Sequence, residues 1–321
     1  MTVSSGKRVA VLGASGIGKH HANWWTVEGA EVCAILGSSE ESVATTGENL
    51  REMFDFGGRC YTDLDQLLLT EKPDIVDVCT PPEMHFAHAL TALHEGSDVL
   101  CEKPFVYDCT LTSEIMLEQA RDLINIAVEE KRQFGVCTQY TIAAKTCLEL
   151  YTKHSPGERI DTFSGILKSP TRGRSPDPTR TWVDLAPHML SALSVIAPSG
   201  RIAMDSMKAD FSGHQAQAEF LIVRAEGSIL HCDILTDHTD DEPANVRQFV
   251  FNDCVFDIAG GRGKDGHFHA DIKSKAGNMV CDDAMRVLIR RFLAGDVAVT
   301  GAAALLNMRR MLGTILKVEQ S

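Results

Sequence analysis

Six short apolar stretches alternate with helical stretches between residues 8 and 138, and this alternation limits the fold more than any other feature of the chain. The stretches are 8–13 (RVAVLG), 31–36 (EVCAIL), 59–62 (RCYT), 74–80 (DIVDVCT), 98–104 (DVLCEKP) and 133–138 (QFGVCT). Most are apolar almost without a break, not at every second position. A strand of that kind is buried on both faces, which a parallel sheet covered by helices on either side provides. Stop signals punctuate the helices between, as in PEMHFAHALTALHEG, which ends on Gly96. The expectation is an α/β chain whose amino-terminal half is a doubly wound parallel sheet, with ligands at the carboxyl ends of its strands.

Beyond about residue 140 the pattern changes. A helix over 141–153 leads to a strand near 160–168, and from residue 215 the apolar period is two. AQAEFLIVRA and SILHCDIL flank a Glu-Gly turn, and VRQFVF and CVFDIAG flank Asn-Asp. Strands in series with tight turns form hairpins, so the carboxy-terminal part is expected to be an α/β domain with a largely antiparallel open sheet. Two final helices carry apolar stripes for core packing, Met285, Leu288, Ile289 and Phe292 on one, Leu305, Met308, Leu312 and Ile315 on the other. The division read from sequence is 1–139 for the first domain and 140–321 for the second, in keeping with a length of 321 residues.

The formal charge of −13 argues against nucleic-acid or anionic-membrane partners, which need clustered Lys and Arg. No apolar run approaches the roughly 20 residues of a membrane helix, and no signal-like segment precedes the first strand. The ten cysteines are scattered and form no C-x-x-C pair. These features predict a reduced, cytoplasmic protein with no metal centre.

The first apolar stretch runs into Gly13, Gly16 and Gly18, a G-x-x-G-x-G in which Ser15 stands where the dinucleotide fingerprint G-x-G-x-x-G has its second glycine. Gly13 supplies the tight turn and Gly18 the close helix packing, while Ser15, Gly16 and Ile17 form the lip of the loop. A helix starting here turns unpaired N–H groups and a positive dipole end toward a pyrophosphate. At the tip of the second strand, where an acidic residue would take the ribose 2′-hydroxyl of NAD, the chain has Gly37, Ser38 and Ser39. The serines leave room for a 2′-phosphate but no Arg stands beside them, so the cofactor reads as NADP or NAD, tilted toward NADP.

The stretch from 72 to 105 holds Thr80-Pro81 at a strand end, His85 four residues after the proline, a helix, and then Glu102-Lys103-Pro104 at the next strand end. This ordered set resembles the Gfo/Idh/MocA family, the glucose-fructose oxidoreductases and inositol dehydrogenases. One departure is Pro82, where the family often has Asn. The resemblance implies a Rossmann domain binding NAD(P) through the glycine loop with Thr80, Pro81, His85, Glu102 and Lys103. It also implies a lysine, Lys103, that positions nicotinamide and substrate and joins the proton relay. The family's catalytic Asp-x-x-x-His falls on Asp184 and His188. On spacing alone, an i, i+4 pair on one helix face reads as readily as an N-cap and a core histidine, with Pro187 in the first helical turn. The resemblance further implies a sugar, polyol or cyclitol as small-molecule substrate, and a homodimer or homotetramer formed through the carboxy-terminal sheet.

Arg172, Arg174 and Arg180 lie in the loop KSPTRGRSPDPTRTW, which is either a solvated basic loop or a lid binding an acidic substrate group. Arg174, Arg180 and Trp182 are therefore candidate substrate contacts. Gln139 and Tyr140 end the sixth strand and are either site-lining or structural. His267 and His269 read as strand-surface residues, and Trp24 and Trp25 as packing for the first helix. The expected activity is hydride transfer at a hydroxyl-bearing carbon. The alternatives are a catalytically silent dinucleotide sensor on the same fold and a reductase of another carbonyl or an imine.

Overall fold

The structure is a computed structural model describing residues 6–263 and 268–320; His267 lies outside the described residues. The chain divides into two compact units, one running up to Cys137 together with Met285–Leu305, the other comprising Thr138–Ala284 and the chain from Leu306 onward.

The first unit alternates as the apolar stretches require. Its elements are β1 (Arg8–Leu12), α1 (Gly18–Val27), β2 (Glu31–Leu36), α2 (Glu40–Met53), β3 (Arg59–Tyr61), α3 (Leu64–Glu71), β4 (Ile75–Val78), α4 (His85–His94), β5 (Asp98–Glu102), α5 (Ser113–Glu129) and β6 (Phe134–Cys137). They make a six-stranded sheet in the order β3-β2-β1-β4-β5-β6, and every pair is parallel. The order reverses between β1 and β4, which places the switch-point crevice at the carboxyl ends of those strands. Val9, Ala10, Val11 and Leu12 are fully buried, as a central strand covered on both faces must be.

Residues 285–305 pack in this unit, although the sequence division places them with the second domain. Phe292 meets the edge of Trp25 with ring centroids 6.2 Å apart, Arg286 and Arg290 bind Glu28 at 2.7 and 2.8 Å, and the Val136 N–H donates to the Val299 carbonyl. An apolar stripe reveals that a helix packs, but not on which core.

The second unit contains α6 (Tyr140–His154), β7 (Thr162–Ser169), α7 (Pro178–Ile196), β8 (Arg201–Ser212), β9 (Gln215–Val223), β10 (Ile229–His238), β11 (Val246–Phe251), β12 (Cys254–Arg262), β13 (Phe268–Ser274) and β14 (Gly277–Asp282). Then come α8 (Ala284–Leu293) and α9 (Gly301–Glu319), the latter entering the second unit in its course. The eight-stranded sheet runs β14-β13-β12-β11-β7-β10-β9-β8 and is antiparallel except where β7 lies parallel to β10. On β9, Ala216, Ala218, Phe220 and Ile222 are buried while Gln217 and Glu219 are not, so one face carries the core. Phe163, Phe249, Phe251 and Phe256 fill that core, and α7 packs on β9 and β10.

α7 begins earlier than the sequence suggested. Asp177 is its cap, accepting from the Arg180 N–H at 2.8 Å, and Pro178 takes the first helical position. Pro187 therefore lies in the helix interior, not in its first turn, and removes the hydrogen bond that residue 187 would give the Val183 carbonyl. Among the described residues no helix is long and apolar enough to cross a membrane, and all ten cysteines are free thiols.

Candidate functional site

The loop from β1 to α1 is built around two glycines that nothing else could replace. Gly13 has φ of +83°, and a Cβ there would sit 2.7 Å from the Cys79 carbonyl oxygen. At Gly18 a Cβ would come within 2.4 Å of the Gly13 carbonyl, so the helix can close on the strand only without a side chain. Gly16 faces open space, and Ser15, Gly16 and Ile17 are exposed. Side chains cap α2 (Ser39), α3 (Asp63), α5 (Thr112) and α7 (Asp177), whereas α1, like α4 and α6, has no side-chain cap and no acidic residue in its first turn. What sets α1 apart is the side-chain-free glycine turn in front of its first N–H groups, and that cradle fits a dinucleotide pyrophosphate.

At the tip of β2, Ser38 is exposed and Ser39 accepts the Ser42 N–H at 3.2 Å as the cap of α2. Ser15, Lys19, Ser39, Glu41, Ser42 and Thr45 line a cleft beside it. Sequence reading sought a cation next in line after the serines and found none; Lys19 supplies one from α1.

Thr80 and Pro81 follow β4. Thr80 shares a hydrogen bond with His88 (Oγ1–Nδ1 3.2 Å). His85, expected at the cofactor, is buried with its ring turned inward, Nδ1 2.8 Å from the Pro104 carbonyl and Nε2 2.9 Å from the Thr80 carbonyl. Burial lowers its pKa against the pull of those carbonyls, so the neutral ring donates to one of them at a time. Its work is to hold together the two loops that leave β4 and β5. Glu102 also turns inward: Oε1 lies 3.1 Å from His21 Nε2, and Oε2 accepts the Lys103 N–H at 3.1 Å. The half-buried Lys103 follows at the end of β5, joined to Pro104 by a cis bond.

Behind these residues lies a charged cluster that sequence reading missed. His21 of α1 is fully buried, with Nδ1 2.9 Å from Asp77 Oδ2 on β4. The same oxygen accepts the Trp25 indole N–H at 2.6 Å, and the Cys79 thiol approaches Oδ1 at 3.5 Å. Burial opposes a charge on His21, but the Asp77 and Glu102 carboxylates override it and hold its pKa up to about 10. The signal available in the sequence was Asp77 itself, an acid within the otherwise apolar run IVDVC.

In the second unit, Asp184 and His188 share a face of α7. His188 is buried, with the Tyr140 ring edge-on to it at 5.1 Å. Asp184 Oδ2 lies 3.3 Å from Arg174 Nη1 and 3.2 Å from Nε2 of His238, the buried last residue of β10. His238 Nδ1 is 3.1 Å from Thr181 Oγ1, which in turn donates to the Asp177 carbonyl. Nothing in the sequence marked His238. Arg174 is thus held at the Asp184 carboxylate, whereas Arg180 is exposed. Trp182, expected at the substrate, is fully buried and donates its indole N–H to the Met311 carbonyl; it is a core residue.

A parallel sheet in this strand order, with a glycine turn that only glycine can make and an uncapped helix beyond it, is a dinucleotide-binding domain. Residues 7–138 match the Gfo/Idh/MocA family model, described as oxidoreductase family, NAD-binding Rossmann fold. Over 148 residues it is 33% identical to D-glucoside 3-dehydrogenase of Escherichia coli K12, covering 46% of this chain and 37% of that protein. Over 206 residues it is 25% identical to inositol 2-dehydrogenase of Corynebacterium glutamicum strain R, covering 63% and 58%. The matches therefore span less than two thirds of either relative. In fold, the chain superposes on UDP-N-acetylglucosamine 3-dehydrogenase from Acidithiobacillus ferrooxidans with a TM-score of 0.74, at 20% identity and 98% coverage of each chain. It also superposes on scyllo-inositol dehydrogenase from Lactobacillus casei, solved with NAD(H) and scyllo-inositol, with a TM-score of 0.71 at 12% identity, covering 98% of this chain and 97% of that one.

Proposed function

We propose that this protein is a nicotinamide-dinucleotide-dependent oxidoreductase acting on a hydroxyl-bearing carbon of a sugar, polyol or cyclitol. The observation that carries the reading is the cofactor cradle: Gly13 and Gly18 pressed against backbone, the start of α1 without a side-chain cap, and Lys103 at the end of β5, two strands from β1 across β4. Gly13, Ser15, Gly16, Ile17 and Gly18 hold the pyrophosphate, with Thr80 and Pro81 beside them. When bound, the nicotinamide supplies hydride chemistry. His188 takes the hydroxyl proton on an imidazole nitrogen, Asp184 orients the proton-bearing group, and the Lys103 ammonium stabilises charge on the substrate oxygen.

At the ribose, the cleft holds Ser39 and the Lys19 ammonium together with the Glu41 carboxylate, and Ser38 is exposed at the tip of β2; the ammonium and hydroxyls support NADP(H) binding at least as tightly as NAD(H). The open face of the eight-stranded sheet, with Ile229 and Val255 exposed, supports a homo-oligomer, which light scattering tests.

The experiment is a panel of sugars, polyols and cyclitols, followed through the absorbance of reduced nicotinamide with each dinucleotide. Turnover of at least one is expected. Dinucleotide binding with no turnover across the panel, in either direction, would leave a sensor on the same fold.

A further inference from the structure

We propose that His21 is a positioning residue for Lys103: clamped between Asp77 and Glu102, it ties the helix that starts at the glycine loop to the backbone of the lysine at the end of β5. The proposal rests on the reading of Lys103 given above. Its geometry is a continuous chain of contacts through one unit. Trp25 donates to Asp77, Asp77 faces His21 at 2.9 Å, His21 faces Glu102 at 3.1 Å, and Glu102 accepts the Lys103 N–H at 3.1 Å.

Stability does not account for such a cluster. His21 and Asp77 are wholly shielded from water and the Glu102 side chain is 12% exposed. Burying charges carries a desolvation penalty that their attraction only partly offsets, and apolar residues of equal volume often serve a core at least as well. A metal centre does not account for it either. His21, Asp77 and Cys137 approach one another closely enough to hold an ion, but burial pushes the Cys137 thiol well up and keeps it protonated. The indole N–H of Trp25 also occupies the Asp77 oxygen that faces His21.

What the cluster does is fix one carboxylate. Glu102 and Asp77 are like charges in a low-dielectric interior, and the His21 ring between them offsets their repulsion. Without it, that repulsion moves the Glu102 side chain away from Asp77. This movement weakens the acceptor that holds the Lys103 amide, and the lysine loses the fixed backbone from which its side chain reaches out. α1 and β5 then also lose their link. The pyrophosphate end and the reacting end of the cofactor cradle are thus aligned by one imidazolium.

The test compares His21→Gln and Glu102→Gln with Leu50→Ala, a truncation of a fully buried apolar side chain in the same unit that removes no charge or hydrogen bond. Hydrogen exchange of the Lys103 amide in the protein without cofactor is the first readout. Loss of a hydrogen bond to a charged group should speed that amide about 10-fold or more in both cluster variants, beyond any change in Leu50→Ala. The second readout is kinetic: kcat should fall about 10-fold while the dinucleotide Kd stays within about 3-fold. Exchange at Lys103 no faster than in Leu50→Ala would overturn the proposal. Should His21→Gln fail to fold, Glu102→Gln, which keeps the side-chain shape, decides the matter alone. If the natural protein turns over nothing in the panel, the functional reading fails, but amide exchange still answers the positioning question.

Discussion

Each unit of the molecule holds a histidine against an aspartate and a third charged group, and the two clusters are built in opposite ways. In the first, His21 and Asp77 are shut off from water and a third group, Glu102, is nearly so. In the second, Asp184 and Arg174 are each about one third exposed, and only His238 is buried. The same kinds of side chain thus serve different purposes. Sealed charges cannot exchange protons with solvent or substrate, so they hold geometry. A carboxylate about one third exposed on a helix face, as Asp184 is on α7, can be reached, so it suits proton movement.

The sharpest test of this contrast is kinetic. His188→Ala should lower kcat by about 10²–10⁴-fold, the usual scale of lost general acid–base catalysis, with dinucleotide Kd little changed. Isothermal titration alongside steady-state rates checks both numbers. A loss of dinucleotide affinity matching the loss of rate would place His188 in a binding role and blur the distinction.

Stability should show the reverse order. Asp77→Leu leaves a buried imidazolium facing a single carboxylate, and breaking a buried ion pair from one side costs about 3–5 kcal/mol. Urea unfolding measures it. A change below about 1 kcal/mol would mean that the sealed cluster relaxes freely and fixes nothing.

The pH dependence has a definite sign. The folded-state pKa of His21 is raised to about 10, above its ordinary 6.5. Its contribution to stability is therefore complete below about pH 6.5 and declines as pH rises from there through 10, because the folded protein keeps a proton that the unfolded chain has lost. His21→Gln should flatten the alkaline side of the stability profile followed by thermal unfolding. An unchanged alkaline slope would show that the ring is not charged in the folded protein.

Much of this was legible in the residues. The unbroken apolar strands fixed a parallel sheet, and Gly13 and Gly18 marked a turn where the structure leaves no room for a Cβ. His85 and Glu102 were named from their place in the motif, and the structure turns both side chains inward, because a motif gives position along a strand and not the direction in which a side chain turns. His21 was passed over because its partners lie 56 and 81 residues away in sequence, and pairing across a sheet has no local period. Trp182 was misread for a related reason: it stands beside the Arg-rich loop in sequence, but α7 begins at Pro178 and by residue 182 the chain has turned its indole into the core. His238 ends an alternating strand, where period two marks the face and says nothing of the charge it meets.

Arg174 gives the smallest and most discriminating effect. Its pair with Asp184 is about one third exposed on both sides, so Arg174→Ala should change stability by no more than about 1 kcal/mol. Asp184 keeps His238 as a partner, so kcat on a neutral polyol should change only a few-fold. If the guanidinium also meets substrate, KM for an acidic sugar should rise well beyond that for a neutral one, because a carboxylate loses its fork of donors. Equal shifts in both KM values would confine Arg174 to steadying Asp184. A stability loss as large as that of Asp77→Leu would make the open cluster structural as well, and the contrast between the two units would collapse.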